Sequence, residues 1–328
     1  MTSAEPAASD VTPAASRPAA TRPVLLRVAI PHHYSRGAKA TGYGSTRSDQ
    51  AVHRVLALSR CLGGVLGLAR GEVEQMLEVT RPQLLSTGRP SYPATRLAGI
   101  QVELHVFVSG DNRLADVLEA FRGRLTLHEV ELEDSLHLPR AARDFLLQHE
   151  QPADLHCYLE DDLVIHDPLF VDKVSWFLNR TAHQLALMPH RYECTDDPAM
   201  PRLYVDGPIA PDFLRRFQTP QPRVATGRFW DGNEVSFDVA SNPHSGLFLL
   251  SEPQRQRLRG RGVADEGFVG PLETVATYTV LQHMPVVKPS WDCRQFLLVE
   301  HAHRSYVAWR DLLLRRGDAA AQGAGERT

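Results

Sequence analysis

The chain has 328 residues, of which 43% are hydrophobic and 23% are charged, a composition typical of soluble globular proteins. Its 36 basic and 39 acidic residues give a net charge of -3, which excludes a global field that attracts nucleic acid or an acidic membrane surface. No run of the sequence approaches the roughly 18 apolar residues that a membrane helix requires. We therefore expect a cytoplasmic protein that recognises its partners locally.

The four cysteines, Cys61, Cys157, Cys194 and Cys293, are scattered along the chain without a CxxC pair. This spacing argues against a zinc knuckle and fits a reducing compartment. We interpret all four as core thiols. Residues 1–23, rich in Ala, Pro, Ser and Thr, are predicted to form a disordered leader, and residues 317–328 a disordered tail.

Strand and helix patterns alternate through the first half of the chain. "PVLLRVAI" reads as a buried strand, and Gln50 to Leu68 as a helix in which Val52, Val55, Leu56 and Ser59 through Leu62 keep helical spacing. There follow a strand "GIQVELHVFVSG", a helix "DNRLADVLEAFRG", a strand "LTLHEVEL", a helix "PRAARDFLLQHE" and a strand "LHCYL". This alternation predicts βαβ units and a doubly wound, mostly parallel α/β sheet flanked by helices.

Three consecutive acids, Glu160, Asp161 and Asp162, directly follow the strand "LHCYL". They would lie at the carboxyl end of a parallel strand, where such sheets bind ligands. An acidic pair can simply mark a solvated loop, but at a strand end neighbouring carboxylates repel unless a cation lies between them. Oxygen ligands favour Mg²⁺ or Mn²⁺. Asp167 and Pro168 are predicted as the N-cap and first residue of the next helix, which carries Phe170, Val174, Phe177 and Leu178 on one face.

The segment "YLEDDLVI" resembles the DxD motif of GT-A fold glycosyltransferases, in its EDD spelling. This resemblance implies one GT-A-like domain over residues 24–316, with a nucleotide-binding half at 24–165 and an acceptor and catalytic half at 166–316. It also implies a nucleotide-sugar donor, a glycan, lipid-linked or small-molecule acceptor with a hydroxyl group, and Mn²⁺ or Mg²⁺. Asp162 would bind the metal directly, while Glu160 or Asp161 would face the ribose or a metal-bound water.

Two segments of the second half resemble the parts of this fold that line the sugar and acceptor pocket. Ser245 and Gly246, in "SNPHSGLFLLS", would belong to that pocket, or would simply form a tight turn into an edge strand. Trp230 and Asp231, in "RFWDGNEVSF", would stack on and hydrogen-bond a sugar ring. Trp230 can equally belong to the core.

The resemblance also implies catalytic, metal and donor residues. Glu273, in "GPLETVATYTVL", is the first choice for a catalytic base or donor-orienting carboxylate and Glu266 the second, although the helix dipole alone also favours an acid at Glu273. His301 is the first choice for a late histidine ligand and His303 the second, with Glu160 as a further metal ligand beside Asp162. The donor contacts implied after the first strand are His32, His33, Tyr34 and Arg36, together with Glu160 and Asp161.

Two other functions remain open at this stage. A sugar nucleotidyltransferase would share the metal requirement, although "PHHYSRGAKATGYG" lacks the loop such enzymes usually carry after their first strand. A non-catalytic carbohydrate- or protein-binding module could use the acids for a structural ion. The donor, the acceptor, the stereochemical outcome and the oligomeric state, including a homo-oligomer, are left open by the sequence.

Overall fold

A computed structural model of the chain describes residues 22–35, 51–88 and 94–325, with side chains up to residue 315. Arg36, predicted as a donor contact, lies outside the described residues, as does the predicted leader up to residue 21. Within the described ranges, no helix combines the length and the apolar character needed to cross a membrane.

The first half of the chain alternates strands and helices as predicted. Its elements are β1 (Val24–Pro31), α1 (Ala51–Leu66), β2 (Glu74–Glu78), β3 (Gln83–Gly88), β4 (Ile100–Val108), α2 (Ala115–Ala120), β5 (Thr126–Glu129), a 3₁₀ turn (Ser135–His137), α3 (Leu138–Gln148), β6 (Leu155–Leu159) and β7 (Leu163–Val164). The hairpin of β2 and β3 was not predicted from the sequence.

The second half contains shorter strands and fewer crossover helices. Its elements are α4 (Phe170–Arg180), β8 (Ala186–Leu187), β9 (His190–Cys194), β10 (Arg202–Tyr204), α5 (Pro211–Leu214), β11 (Gln221–Arg228), β12 (Glu234–Val239), β13 (Leu247–Ser251), α6 (Glu252–Arg259), α7 (Pro271–Glu273), a π-helical turn (Thr274–Tyr278), α8 (Thr279–Leu281), β14 (Val286–Pro289), a 3₁₀ helix (Trp291–Phe296), β15 (Leu298–His301) and α9 (Ser305–Gly325). Helix α9 continues into the segment that was predicted as a disordered tail.

The largest sheet has the strand order β13-β6-β1-β4-β5. Strands β6, β1, β4 and β5 run parallel, and β13 is antiparallel to β6 at the edge. All five residues of β6 are buried, as expected of a strand in a covered parallel sheet. The prediction of a mostly parallel sheet is confirmed here, whereas a doubly wound layout within a single domain stays a prediction.

Two further four-stranded sheets, with the orders β10-β9-β15-β7 and β11-β12-β14-β8, are mostly antiparallel. The alternation of strands and helices in the first half did not predict them. One of their pairings positions the site, because His301 in β15 lies opposite Leu163 in β7. The late histidine segment is thereby brought beside the turn that follows β6.

Helix α1 buries only part of the set predicted to keep helical spacing, namely Cys61 and Leu62. Val52 and Leu56 are 69% and 53% exposed. The buried residues recur at helical spacing as one stripe, at Arg54, Ala57, Leu58, Cys61, Leu62 and Val65. The stripe therefore includes a charged residue, Arg54, which the apolar pattern alone could not place inside.

Helix α4 begins later than predicted. It starts at Phe170, and Asp167 precedes it, accepting a hydrogen bond from the Leu169 amide at 2.8 Å. The predicted apolar face of Phe170, Val174, Phe177 and Leu178 is fully buried. Burying each of these side chains stabilises the fold by roughly 2 kcal/mol.

The cysteine prediction holds for two of the four residues. Cys61 and Cys157 are buried free thiols, whereas Cys194 is exposed and Cys293 is partly exposed. Cys194 is the last residue of β9, where the strand ends at the surface and the core no longer covers its side chain.

Candidate active site

The acid turn, Glu160 to Asp162, connects β6 to β7, and its three side chains have three different environments. Asp161 is the most strongly paired. Both of its carboxylate oxygens accept a hydrogen bond at 2.7 Å from Nη2 of Arg54, and Oδ2 lies 2.6 Å from Nδ1 of His32. Burial alone would raise the pKa of Asp161, but Arg54 and His32 lower it well below its usual value.

His32 is completely buried, and both of its ring nitrogens are engaged. The Leu114 amide donates to Nε2 at 3.0 Å, so Nδ1 carries the proton and donates to Asp161. The Asp161 and His32 side chains were predicted as donor contacts. Their hydrogen bonds tie the acid turn to the segments that follow β1 and precede α2, and a donor contact by either residue stays a prediction.

Arg54 was missed by the sequence analysis. Its guanidinium, only 6% exposed, also lies 3.2 Å from Asp162, with Nη1 facing Oδ2. One buried cation therefore bridges two of the three acids and offsets much of the repulsion that a metal ion was predicted to relieve. An arginine on the buried stripe of an otherwise apolar helix was the signal that could have identified it.

Asp162 faces the late histidine segment. Its Oδ2 lies 3.7 Å from Nε2 of His301, and its backbone carbonyl accepts the Ala302 amide at 2.8 Å. His301 is 8% exposed. Burial lowers the pKa of His301, but the Asp162 carboxylate and the hydrogen bond to Glu193 raise it by more, so the pKa lies above its ordinary value.

Glu193, on β9, orients His301 and was also missed. Its side chain is fully buried, and Oε1 lies 2.8 Å from Nδ1 of His301. The same carboxylate accepts the backbone amides of Tyr306 at 3.1 Å and Val307 at 2.6 Å, in the first turn of α9. A carboxylate is well placed at a helix N-terminus, where amides lack internal partners.

The geometry of Asp162 and His301 fits two ligands of one divalent cation. Their facing atoms are too far apart for a hydrogen bond, yet close enough to lie on one ion with bonds of about 2.0 to 2.2 Å. The Glu193 carboxylate behind His301 is the partner that metal-binding histidines usually have. The Nε2 atom of His303 is buried and has no hydrogen-bond partner among the described residues.

The predicted ligands, Asp162 and Glu160 with either His301 or His303, do not form a cluster of three. In the part of the chain that the structure describes, no three His, Cys, Asp or Glu side chains stand close enough to hold an ion together. The pair Asp162 and His301 nevertheless suits Mg²⁺ or Mn²⁺, which usually retain water and phosphate oxygens in their remaining positions.

The Glu160 carboxylate lies against Gly246, the residue before β13. Its Oε2 atom would lie 2.6 Å from a Cβ added at Gly246, whose φ is +66°. Burial and then the Asp162 charge raise the pKa of Glu160 to about 8, so this carboxyl is mostly protonated at neutral pH. A metal role for Glu160 stays a prediction, since a bound dication would itself favour the ionised carboxylate.

Glu273, at the end of the short helix α7, lies close enough to Glu160 for its charge to act on that residue. It is partly buried, and its charge contributes to the raised pKa of Glu160. Glu266, the second choice for a catalytic acid, lies before the helix with a side chain that is 91% exposed and 3.8 Å from Arg140. The structure thus brings Glu273, and not Glu266, towards the acid turn.

The predicted sugar and acceptor residues are engaged in turns. Ser245 is buried and donates to the Pro189 carbonyl at 2.8 Å, which supports the interpretation of "SG" as a turn into an edge strand. Asp231 is exposed and accepts the Asn233 amide at 2.8 Å between β11 and β12. Trp230 stacks on Phe229 with ring centroids 5.4 Å apart and packs against the core. A pocket role for these residues stays a prediction.

His33 and Tyr34 follow β1, as predicted. Tyr34 is buried, and its amide donates to the Asn112 carbonyl at 2.9 Å. His33 is partly buried, and burial lowers its pKa, helped by the neighbouring His32. A donor contact by either residue stays a prediction.

A buried charge network supports the turn before β13. Lys288 donates to Asp206 and to the His244 carbonyl, both at 2.7 Å. Nε of Arg191 donates to Asp206 at 2.9 Å, and the Arg191 charge also lowers the pKa of the nearby Glu160. The network, which sequence reasoning missed, holds the residue preceding Ser245 in place.

Comparisons with known proteins give no relative by sequence, since no family model and no curated protein matches the chain. Among solved structures, S. aureus TarS residues 1–349 matches with 10% identity and a TM-score of 0.38, covering 80% of this chain and 57% of that one. GalNAc-T7 with UDP, GalNAc and Mn²⁺ matches with 13% identity and a TM-score of 0.40, covering 86% and 44%. A second TarS structure matches with 12% identity and a TM-score of 0.39, covering 80% and 34%.

These matched proteins are glycosyltransferases, the class that the EDD segment resembles. The chain spans between about a third and just over half of their lengths. Because each TM-score is below 0.5, the function proposed below rests on the geometry of the site.

Proposed function

We propose that this protein is a metal-dependent glycosyltransferase that moves a sugar from a nucleoside-diphosphate sugar to a hydroxyl acceptor. The observation that carries the proposal is the pair of Asp162 and His301, which face each other across 3.7 Å. This pair lies just past the carboxyl end of β6, the edge where parallel α/β sheets bind their ligands. Glu193 fixes the His301 ring from behind.

The charges around this pair suit a diphosphate leaving group. When bound, Mg²⁺ or Mn²⁺ would neutralise the charge that develops on the departing diphosphate. Asp162 and His301 would hold it, with Glu193 keeping Nε2 of His301 directed at Asp162. Arg54 keeps a fixed positive charge beside Asp162, and a guanidinium in that position favours phosphate oxygens. A gain of about 1.4 kcal/mol at the transition state corresponds to a tenfold faster reaction.

Glu273 is the carboxylate that we assign to the acceptor side. It belongs to the first turn of α7, and its charge acts on Glu160. If transfer inverts the anomeric configuration of the sugar, Glu273 would accept the proton of the attacking hydroxyl. If transfer retains that configuration, Glu273 would orient the donor. Glu273→Gln then separates the roles, because donor affinity measured by calorimetry stays unchanged for a base and falls for a donor contact.

The test is turnover of a panel of nucleotide sugars with Mn²⁺, measured as release of nucleoside diphosphate with an acceptor mixture. We expect release by the intact chain and loss of release in Asp162→Ala, with a circular dichroism spectrum like that of the parent. Glu119→Ala, which removes an exposed acid of α2 that pairs with Arg122 at the surface, is the matched control and should remain active. Release of pyrophosphate would indicate a nucleotidyltransferase, and no release would indicate a binding module; either result contradicts the proposal.

A further inference from the structure

The hairpin of β2 and β3 is an exposed ribbon that no described strand extends into a larger sheet. Among the described strands, β2 and β3 pair only with each other. Every residue of β3 is exposed, and so are four of the five residues of β2. A two-stranded hairpin on its own is marginally stable in water, and about three strands with a shared apolar face are needed for independent stability.

The ribbon carries apolar side chains on both faces. Met76 lies opposite Leu85, and Leu77 lies opposite Leu84, so one pair occupies each face. Their exposed fractions are 53% for Met76, 38% for Leu85, 62% for Leu77 and 63% for Leu84. Clustered apolar exposure of this kind marks an interaction surface rather than ordinary surface variation.

The two edges of the ribbon differ in how they are protected. β2 carries Glu74 and Glu78, and the register irregularity of the ribbon places an extra residue, Thr87, near the end of β3. β3, with the sequence QLLSTG, carries no charge and no proline. Charges, prolines and bulges are the usual devices that prevent an edge strand from pairing with another chain, and residues 83–86 of β3, which precede its bulge, lack all three.

We propose that β3 pairs antiparallel with β3 of a second copy of this chain, which joins the two hairpins into one four-stranded sheet. Identical strands paired in this way are related by a two-fold axis, and an uncharged edge is complementary to itself. The corresponding pairing through β2 would bring glutamates of the two copies together. A charged partner, by contrast, would find no opposite charge on β3.

The four-stranded sheet supplies the additional strands and the shared apolar faces that the isolated hairpin lacks. Because the two-fold axis is perpendicular to the sheet, Met76 and Leu85 of both copies come to lie on one face, and Leu77 and Leu84 of both copies on the other. The hairpin lies between Arg70 and Ile100, which bridge each other at the start of β4. That start is the amino end of the parallel strand, opposite the acid turn, so the dimer leaves the proposed active site open.

Sedimentation velocity of the full chain tests the dimer, and cross-linking of engineered cysteines tests the edge. Paired strands lie about 5 Å apart, whereas the two β2 strands would lie about 14 Å apart, beyond the roughly 7 Å that a disulfide can bridge. In a Cys194→Ser parent, which removes the exposed thiol, we expect disulfide dimers from one or more of Leu84→Cys, Leu85→Cys and Ser86→Cys. The matched variants Gln75→Cys, Met76→Cys and Leu77→Cys should not cross-link.

Leu85→Lys should weaken the dimer at least about tenfold, because it places like charges near the two-fold axis. A chain that remains monomeric at roughly 50 μM, or β2 cysteines that cross-link as readily as β3 cysteines, would overturn the proposal. The proposal would also be overturned if the full chain stayed monomeric and only a variant lacking residues 1–21 dimerised. That result would identify residues 1–21 as the segment that binds the hairpin. None of these readouts depends on the proposed sugar transfer.

Discussion

Nε2 of His301 faces Oδ2 of Asp162 at 3.7 Å, although the two residues are 139 positions apart in sequence. The pairing of β15 with β7 brings them together, and Glu193 holds the histidine ring from the other side. The two candidate ligands are therefore brought together by strand pairing and by the Glu193 carboxylate.

Glu193→Gln should lower the affinity for Mn²⁺ by about 10- to 100-fold, because it removes the negative charge that orients and polarises His301. Calorimetric titration of Mn²⁺ measures the change. Asp196→Asn is a matched control, since Asp196 is an exposed acid paired with Arg304 at 2.7 Å near the same helix. Equal affinities in the Glu193→Gln variant and the parent would count against His301 as a ligand.

Arg54→Met should destabilise the fold by about 3 to 5 kcal/mol, because it leaves the buried Asp161 carboxylate without its main counter-charge. Urea unfolding measures the loss. Arg122→Met, at a surface pair with Glu119, should cost less than about 1 kcal/mol. The double variant Arg54→Met/Asp161→Asn should recover part of the stability, and strict additivity of the two changes would contradict the proposed coupling.

Gly246→Ala should destabilise the fold by about 3 kcal/mol or more, because its φ is +66° and the new Cβ would meet Glu160 and Leu163. Gly232→Ala separates the two causes. Gly232 has a φ of +90° but open space around it, so only the backbone cost of about 1 kcal/mol should appear. Similar losses in the two variants, measured by urea unfolding, would show that the close approach of Glu160 has no energetic weight.

Acidification should destabilise the fold through His156, which is buried against Glu252 at 2.8 Å. Burial lowers the pKa of His156 from 6.5 to about 4, so between these values the unfolded chain binds a proton that the folded chain does not. The stabilisation is complete above pH 6.5 and is lost as the pH falls towards 4, up to roughly 3 kcal/mol. In His156→Gln, the free energy of unfolding should change less between pH 7 and pH 4.5, and an unchanged slope would contradict this origin.

The elements with strong local patterns were predictable from the sequence. Continuous apolar runs predicted the buried strands "VLLRVAI" and "LHCYL", and apolar residues at helical spacing predicted the buried face of α4. Strand β7 has only two residues, which is too short for any periodicity to show. Its pairing with β15, which positions His301, could not be predicted for that reason.

The candidate site was predictable in its acids and its late histidine, but not in their partners. Arg54 and Glu193 lie 107 and 108 residues from Asp161 and His301, and no local pattern connects them. The sequence suggested a cation between the acids, and the structure places a guanidinium beside two of them. An arginine side chain and a bound metal ion can both neutralise neighbouring carboxylates. The acidic motif alone therefore does not show which of the two is present.

Glu193 serves two elements with one carboxylate, since it caps the first turn of α9 and also holds His301. A displacement of α9 would therefore be transmitted as a rotation of the imidazole, without any element of the largest sheet having to move. The position of α9 is therefore coupled to the geometry of Asp162 and His301. A partner that binds α9 and shifts it would change this geometry without contacting the two residues.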